Sequence, residues 1–231
     1  MLSVEETLRR VKQVHKDKPF YKHPMWAGLL EGKFSKRQVQ EFALQFGIIP
    51  LWNQNYHGRL YVHCPDYHWR ARIAEVVYEE GTGRIYAGGV PHHRLYLDFG
   101  EDIGLTPEQM LGAKYCPEAL GFRTYFQDAC EGDFIRGVAC HMLGAEAQGP
   151  GVFARMAETF KRKYDMTDKG VAFWVIHDSA DEDHSSVGDE LLADFAKTEQ
   201  QRQLVIDTVK ETVDMTMLLY DGIYKSMLAA G

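Results

Sequence analysis

Three side chains in the stretch FWVIHDSADEDHSSVGDE, residues 173–190, have the types and spacing of a metal-binding face. His177, Asp181 and His184 stand four and three residues apart. On an α-helix they leave one face within about 60° of arc. Two neutral imidazoles and a carboxylate suit iron or manganese. The same residues also fit a solvated acidic face, because Asp178, Glu182 and Asp183 lie among them. The aromatic run FWVI before His177 argues that the helix enters the core, where an aspartate without a cation or donor is costly. On the ligand reading, Asp178, Glu182 and Asp183 are replaceable.

Two further groups carry the same chemistry. Glu146 sits in GAEAQGP, late in an apolar helical pattern, where a carboxylate among Ala, Leu and Gly needs a partner. Glu79 and Glu80 end one helical pattern, and His92 and His93 open the next. Together the three groups supply several carboxylates and imidazoles from separate helices, the inventory of a carboxylate-bridged di-metal site in a helical bundle. The repeated Glu-x-x-His pair of ferritin-like proteins is absent, so a different helical scaffold is required. His141 stands five residues before Glu146, off its α-helical face, and reads as a core or surface imidazole.

The elements that must position these groups are helical throughout. SVEETLRRVKQVHK has a serine cap and acidic first turn. SKRQVQEFALQFGI (35–48) has another serine cap and a stripe of Val39, Phe42, Ala43 and Phe46. Residues 66–80 start at Asp66 and stop at the GTG of 81–83. HHRLYLDFGEDIG ends at Gly104, and TPEQML reads as a capped turn. Helices follow over 117–131, 133–148, 151–164 and 169–182. A long one over 198–227 has apolar spacing at Leu204, Val205, Val209, Val213, Met217 and Tyr220. The expectation is one all-α domain spanning 1–231, a bundle of about eight to ten helices.

Composition narrows the function. The 231 residues hold 26 Lys+Arg against 33 Asp+Glu, a net charge of −7, which repels phosphate backbones and argues against nucleic acid. No apolar run reaches the length of a membrane span. Cys64, Cys116, Cys130 and Cys140 show neither a CxxC pair nor zinc spacing, so reduced thiols and a cytoplasmic location are expected.

The chain resembles the haem-oxygenase-like di-iron oxidases and oxygenases, relatives of the TenA and PqqC proteins. That family's pattern is a Glu before a helix break, a His opening the next helix, a lone Glu followed by x-x-x-Pro, and His-x-x-x-Asp-x-x-His. Here these look like Glu79, His92, Glu146 with Pro150, and His177, Asp181, His184. KPFYKHPMWAGLLEGKFSKRQVQEFALQ, HCPDYHWRARIAEVVYEE and HHRLYLDFGEDIGLTPEQM are similar to its helices, and the likeness spans most of residues 15–225. The long gap GTGRIYAGGVP leaves Glu80 or His93 as alternatives to Glu79 or His92; His92 precedes Leu95 by three, as in the family's His-x-x-Leu.

The resemblance implies a haem-oxygenase-like bundle holding two Fe ions, cycling Fe(II)/Fe(III), with Mn as an alternative metal. Glu79, His92, Glu146, His177, Asp181 and His184 would be the ligands, and Glu146 the catalytic bridging carboxylate. It implies O2 and a small amine or amino-acid-like substrate, an external electron donor, a homodimer, and N-oxygenation, C–C cleavage or desaturation in natural-product biosynthesis. Arg84, Lys161 and Lys163 are candidates for holding a substrate carboxylate, and Gln45, Trp52 and Tyr61 lie on helices expected to line the cavity. Trp26 occupies the position that resembles the self-modified tyrosine of a p-aminobenzoate-forming branch. The competing reading is a metal-free TenA/PqqC-like enzyme or binding protein of the same fold.

Overall fold

The structure, a computed structural model, describes residues 2–145 and 151–231, with side chains throughout these except at 179–186. The expected Glu146, and the side chains of Asp181 and His184, lie outside the described residues. Among the described residues there are twelve α-helices, one 3-10 turn and one π-helical turn, and no strand. The all-α expectation holds, and the helix number exceeds the eight to ten expected. Two helices that weak periodicity hides account for part of the excess. One is α2 (Pro24–Glu31), started by His23 and Pro24 and stopped by Gly32 in the left-handed region. The other is α4 (Asn53–His63), which lacks any side-chain cap.

The remaining helices follow their caps. Ser3 starts α1 (Val4–Asp17), and a Ser35/Gln38 capping box starts α3 (Lys36–Phe46). Asp66 accepts from the backbone of His68 and Trp69 at the start of α5 (Tyr67–Thr82). Then come α6 (His92–Asp102), α7 (Pro107–Leu111) and α8 (Pro117–Glu131). The expected helix over 133–148 is different. It is a five-residue α9 (Phe134–Val138), capped by Asp133, that runs into a π-helical turn at Ala139–Ala145. Next is α10 (Val152–Tyr164), whose N-cap Gly151 offers no side chain. Asp178, read above as replaceable, fills that role from another helix: its Oδ1 accepts from the backbone N–H of Phe153 and Ala154, at 3.1 and 3.2 Å.

The metal-motif helix α11 (Asp168–Phe195) is longer than its expected 169–182, and α12 (Glu199–Ala230) is the longest of all. Val205, Val209, Val213 and Tyr220 of α12 are buried as expected, whereas Leu204 is exposed. α11 packs between α6 and α10, and α12 packs on α1, α3, α8 and the π turn. At their centre Trp26 and Trp174 are both fully buried, edge-on to each other with ring centroids 6.3 Å apart. Trp174 also meets Phe42, Phe99 and Phe160. Truncating such a side chain costs about 3–5 kcal/mol, so this aromatic block rigidly fixes the helices that carry the site.

Candidate metal centre

The last turn of α5 and the first of α6 meet α11 at the motif. Glu80, His92 and His177 each offer a ligand atom, and these atoms lie within 4.8 Å of one another. Glu80 and His92 are buried and His177 is half-buried. The rings of His92 and His177 stand 4.8 Å apart at 72°.

Each imidazole is oriented by its other nitrogen. His177 Nδ1 lies 2.7 Å from the carbonyl of Phe173 one turn earlier, which sets it as the N–H donor and makes Nε2 the lone-pair nitrogen. His92 Nε2 lies 3.2 Å from Glu79 Oε1. His92 Nδ1 is buried and pairs with Glu80 Oε1 at 3.2 Å. A buried imidazole nitrogen set against a carboxylate at that distance leaves both atoms positioned for a shared cation. The donor set of two imidazoles and a carboxylate fits iron.

Glu79 and Glu80 divide the work. Glu79 Oε2 accepts from the backbone N–H of Ile85 at 2.6 Å, and Oε1 from that of Tyr86 at 3.0 Å, besides holding His92. It therefore ties down the loop that joins α5 to α6 and turns the His92 ring. Glu80, the alternative left open above, is the carboxylate placed in the cluster; Glu79 is not part of it. His93 is exposed and takes no part. Gly83 makes the arrangement possible. It closes α5 with φ +62°, and a Cβ there would lie 1.9 Å from the carbonyl oxygen of Val90.

Electrostatics follow the same division. Burial alone would raise the Glu80 carboxyl, but the imidazoles of His92, His57 and His177 outweigh it and bring it to about 2. Burial likewise works against Glu79, and the loop amides and His92 hold its carboxyl below the ordinary value. His92 is desolvated, which lowers its value, but Glu80 and Glu79 prevail and raise it. An anionic, cation-seeking pocket results.

A cavity of about 100 Å³ opens beside Glu80 and His177. Its wall includes Phe46, Tyr56, Phe126, Phe173 and Trp174. Two histidines that sequence reasoning did not assign to the site belong here. His141, on the π turn, is buried and lines the cavity. His57, on α4, is fully buried with its ring centroid 4.0 Å from that of His141. Trp26 does not line the cavity but stands edge-on to Phe46 and Tyr220, which do.

The residues considered for a substrate carboxylate lie elsewhere. Arg84 is exposed beside the Tyr78 hydroxyl. Lys161 pairs with Asp168 at 2.7 Å, and the stem of Lys163 packs near Gly32. Gln45 is buried but bonds to Glu41 and to the backbone of Lys114 and Cys116. Trp52 lies under the Arg123 guanidinium, and Tyr61 is exposed. Neighbouring positions Asn53 and Tyr56 of α4 face the cavity instead, and Asn53 donates to Glu80 Oε1 at 3.2 Å.

A helical scaffold with a two-histidine, one-carboxylate cluster has the donor set of an iron-binding protein. Comparison with known proteins identifies the group: the chain belongs to the iron-containing redox enzyme family, whose profile matches residues 40–217. It is similar to 4-aminobenzoate synthases from Nitrosomonas europaea (22% identical, covering 96% of this chain and 92% of the relative) and Chlamydia pneumoniae (24% identical, 86% and 88%). Among solved structures it shares its fold with a CADD-like protein of unknown function from Nostoc punctiforme (TM-score 0.75, 12% identical, 98% of each chain). It shares it also with a TenA homologue from Pseudomonas syringae (TM-score 0.74, 10% identical, 96% and 92%). The protein is an iron-dependent oxidoreductase with a haem-oxygenase-like fold.

Proposed function

We propose that the protein binds two iron ions and uses O2 to oxidise a small amine or amino-acid-derived substrate in the cavity beside Glu80 and His177. The observation that carries this reading is the Glu80–His92–His177 cluster, with its two imidazoles oriented and His92 Nδ1 set against Glu80 Oε1. These three residues would hold one iron. Glu146 and the side chains of Asp181 and His184, outside the described residues, would complete the set by the resemblance, with Glu146 as the catalytic carboxylate. Glu79 serves as the positioning residue of His92 and the loop rather than as the first choice of ligand.

The bound iron supplies O2 activation at the cavity wall. The chain's own residues supply the rest. Glu80 and Glu79 provide the negative charge that holds the cations, and Asn53 keeps Glu80 Oε1 in place. The aromatic wall excludes water from the place where oxidant meets substrate. N-oxygenation, C–C cleavage or desaturation fits such a site, and the relatives named for 4-aminobenzoate formation support an amine-related substrate. The reading includes a homodimer, an external electron donor, manganese as an alternative metal, a cytoplasmic location and a place in natural-product biosynthesis. No helix among the described residues is long and apolar enough to cross a membrane.

The test is anaerobic Fe(II) reconstitution followed by metal analysis and exposure to O2. Two irons per chain and a transient visible absorbance are expected. A chain that takes up neither iron nor manganese refutes the proposal. One that takes up a single iron, and keeps it and its activity after His184→Ala, refutes the dinuclear form.

A further inference from the structure

The cavity has a composition that selects its occupant. Eight of its lining residues are Phe, Tyr or Trp, and no Lys or Arg is among the lining residues described. Besides Asn53, which donates to Glu80, Thr216, which donates to the Thr212 carbonyl, and the Tyr56 and Tyr220 hydroxyls, its polar groups lie in two places. Glu80 and His177 belong to the metal cluster. His141 belongs to a different element, the π turn. π turns recur at functional sites because they turn a side chain out of its α-helical register. His141 is held rigidly: His57 packs on it with ring centroids 4.0 Å apart, Phe126 at 5.2 Å and Tyr56 at 6.2 Å.

We propose that His141, backed by His57, is the anchor for an uncharged hydrogen-bonding substituent on a small flat ring, which enters the cavity ring-first. This inference rests on the cavity being the place where the proposed oxidation occurs. The size argument is direct. A dry cavity of about 150 Å³ accepts benzene, so one of about 100 Å³ limits the enclosed part of any occupant to a single ring at most. The charge argument is equally direct. Among the described residues a carboxylate or ammonium in this wall would be desolvated without a counter-charge of its own, apart from the metal donors, and that is costly. An imidazole offers one donor and one acceptor, so it can hold a phenolic O–H or an aromatic amine alike. An amino-acid-derived substrate would then keep its charged end outside the cavity. His141 is a positioning residue and His57 sets its ring.

The probes are benzene, phenol and benzoate, titrated calorimetrically into the metal-free protein, so that binding is read separately from iron chemistry. Phenol is expected to bind about five- to tenfold tighter than benzene, the worth of one buried hydrogen bond. Benzoate is expected to bind at least about 100-fold more weakly than phenol. H141L should bind benzene within twofold of the wild type and lose the preference for phenol, while H141Q, which keeps a hydrogen-bonding group, should retain it. Iron content should match the wild type in both variants. If H141L does not fold, H141Q and the order of the three probes on the wild type still decide. Benzoate binding as tightly as phenol, or an unchanged phenol-to-benzene ratio in H141L, overturns the proposal. So does a loss of iron in either variant, because His141 would then be a ligand. A chain that takes up no metal yet keeps the phenol preference supports this inference while refuting the proposed function.

Discussion

Changing Glu79 and Glu80 separately to glutamine tests the division of labour between them. Glu79→Gln keeps the side chain's shape but turns one acceptor oxygen into an NH2 group. If the amide nitrogen replaces Oε2, the 2.6 Å bond from Ile85 N–H is lost; if it replaces Oε1, those from Tyr86 N–H and His92 are lost. One bond to a charged group is worth about 1.5–3 kcal/mol. The loop then loosens and the His92 ring loses its orientation. Iron affinity should fall about 10–100-fold, the usual consequence of removing a group that orients a ligand. Glu80→Gln instead removes the only carboxylate in the three-residue cluster, and affinity should fall by more than about 100-fold. Anaerobic competition for Fe(II) against a chelator measures both. Hydrogen exchange adds an independent reading: the Ile85 and Tyr86 amides should exchange about tenfold or more faster in Glu79→Gln and at the wild-type rate in Glu80→Gln. Wild-type iron affinity in Glu80→Gln together with its abolition in Glu79→Gln would make Glu79 the ligand and refute the assignment.

Three other outcomes follow from the same structure. Gly83→Ala forces a Cβ to 1.9 Å from the Val90 carbonyl oxygen at φ +62°; a loss of at least about 2 kcal/mol by denaturant unfolding is expected, with reduced iron uptake. Asp178→Ala should cost about 1 kcal/mol of stability, because α10 loses the side-chain cap that Asp178 provides, and a metal titration should show iron affinity unchanged; a large affinity loss would make Asp178 part of the centre. Burial alone would raise the Asp98 carboxyl, but Arg94 at 2.8 Å and Lys169 at 3.1 Å outweigh it and lower it. The stability it contributes is therefore present above the ordinary carboxylate pKa of about 3.9 and disappears as pH falls through the lower folded value. Asp98→Asn should cost about 1–2 kcal/mol at pH 7 and progressively less below about pH 4; a pH-independent difference in melting would contradict the ion-pair account.

The helices and their starts were legible because caps are local. Ser3, Ser35, Asp66 and Thr106 all cap where the sequence places them. The burial of Glu80, which the sequence reading held only as the alternative to Glu79, has a signal on α5 itself. Trp69, Ile73 and Val76 are buried at spacings of four and three, and the next step of four is Glu80. Glu79 is also buried, one position off that stripe, because the loop folds back over it and its amides bond there. That burial depends on residues 83–90 and could not be read from helix period alone. His57 was hidden for a related reason: α4 has no side-chain cap and little amphipathic contrast, so no face of it was visible.

His141 exposes the limit of periodic reasoning most clearly. Its exclusion from the site rested on a spacing of five from Glu146, which is off-face at 3.6 residues per turn. Residues 139–145 are wound as a π turn, with bonds that span five residues instead of four. Within such a turn the 3.6-residue rule no longer says which side chains share a face. No cap, proline or charge marks the change of winding in ACHMLGA, which reads as ordinary apolar helix. Tertiary packing selects it: Ala139, Cys140, His141, Met142, Leu143 and Gly144 are all buried, and a Cβ on Gly144 would lie 2.8 Å from the Thr212 side chain. Close approach of α12 at Gly144 thus accompanies the wide winding that turns His141 into the cavity. Gly144→Ala should push the π turn off α12 and, through it, move His141. A weakened preference for phenol over benzene in that variant, with iron content unchanged, is the expected result. An unaltered preference would sever the link between the glycine contact and the anchor.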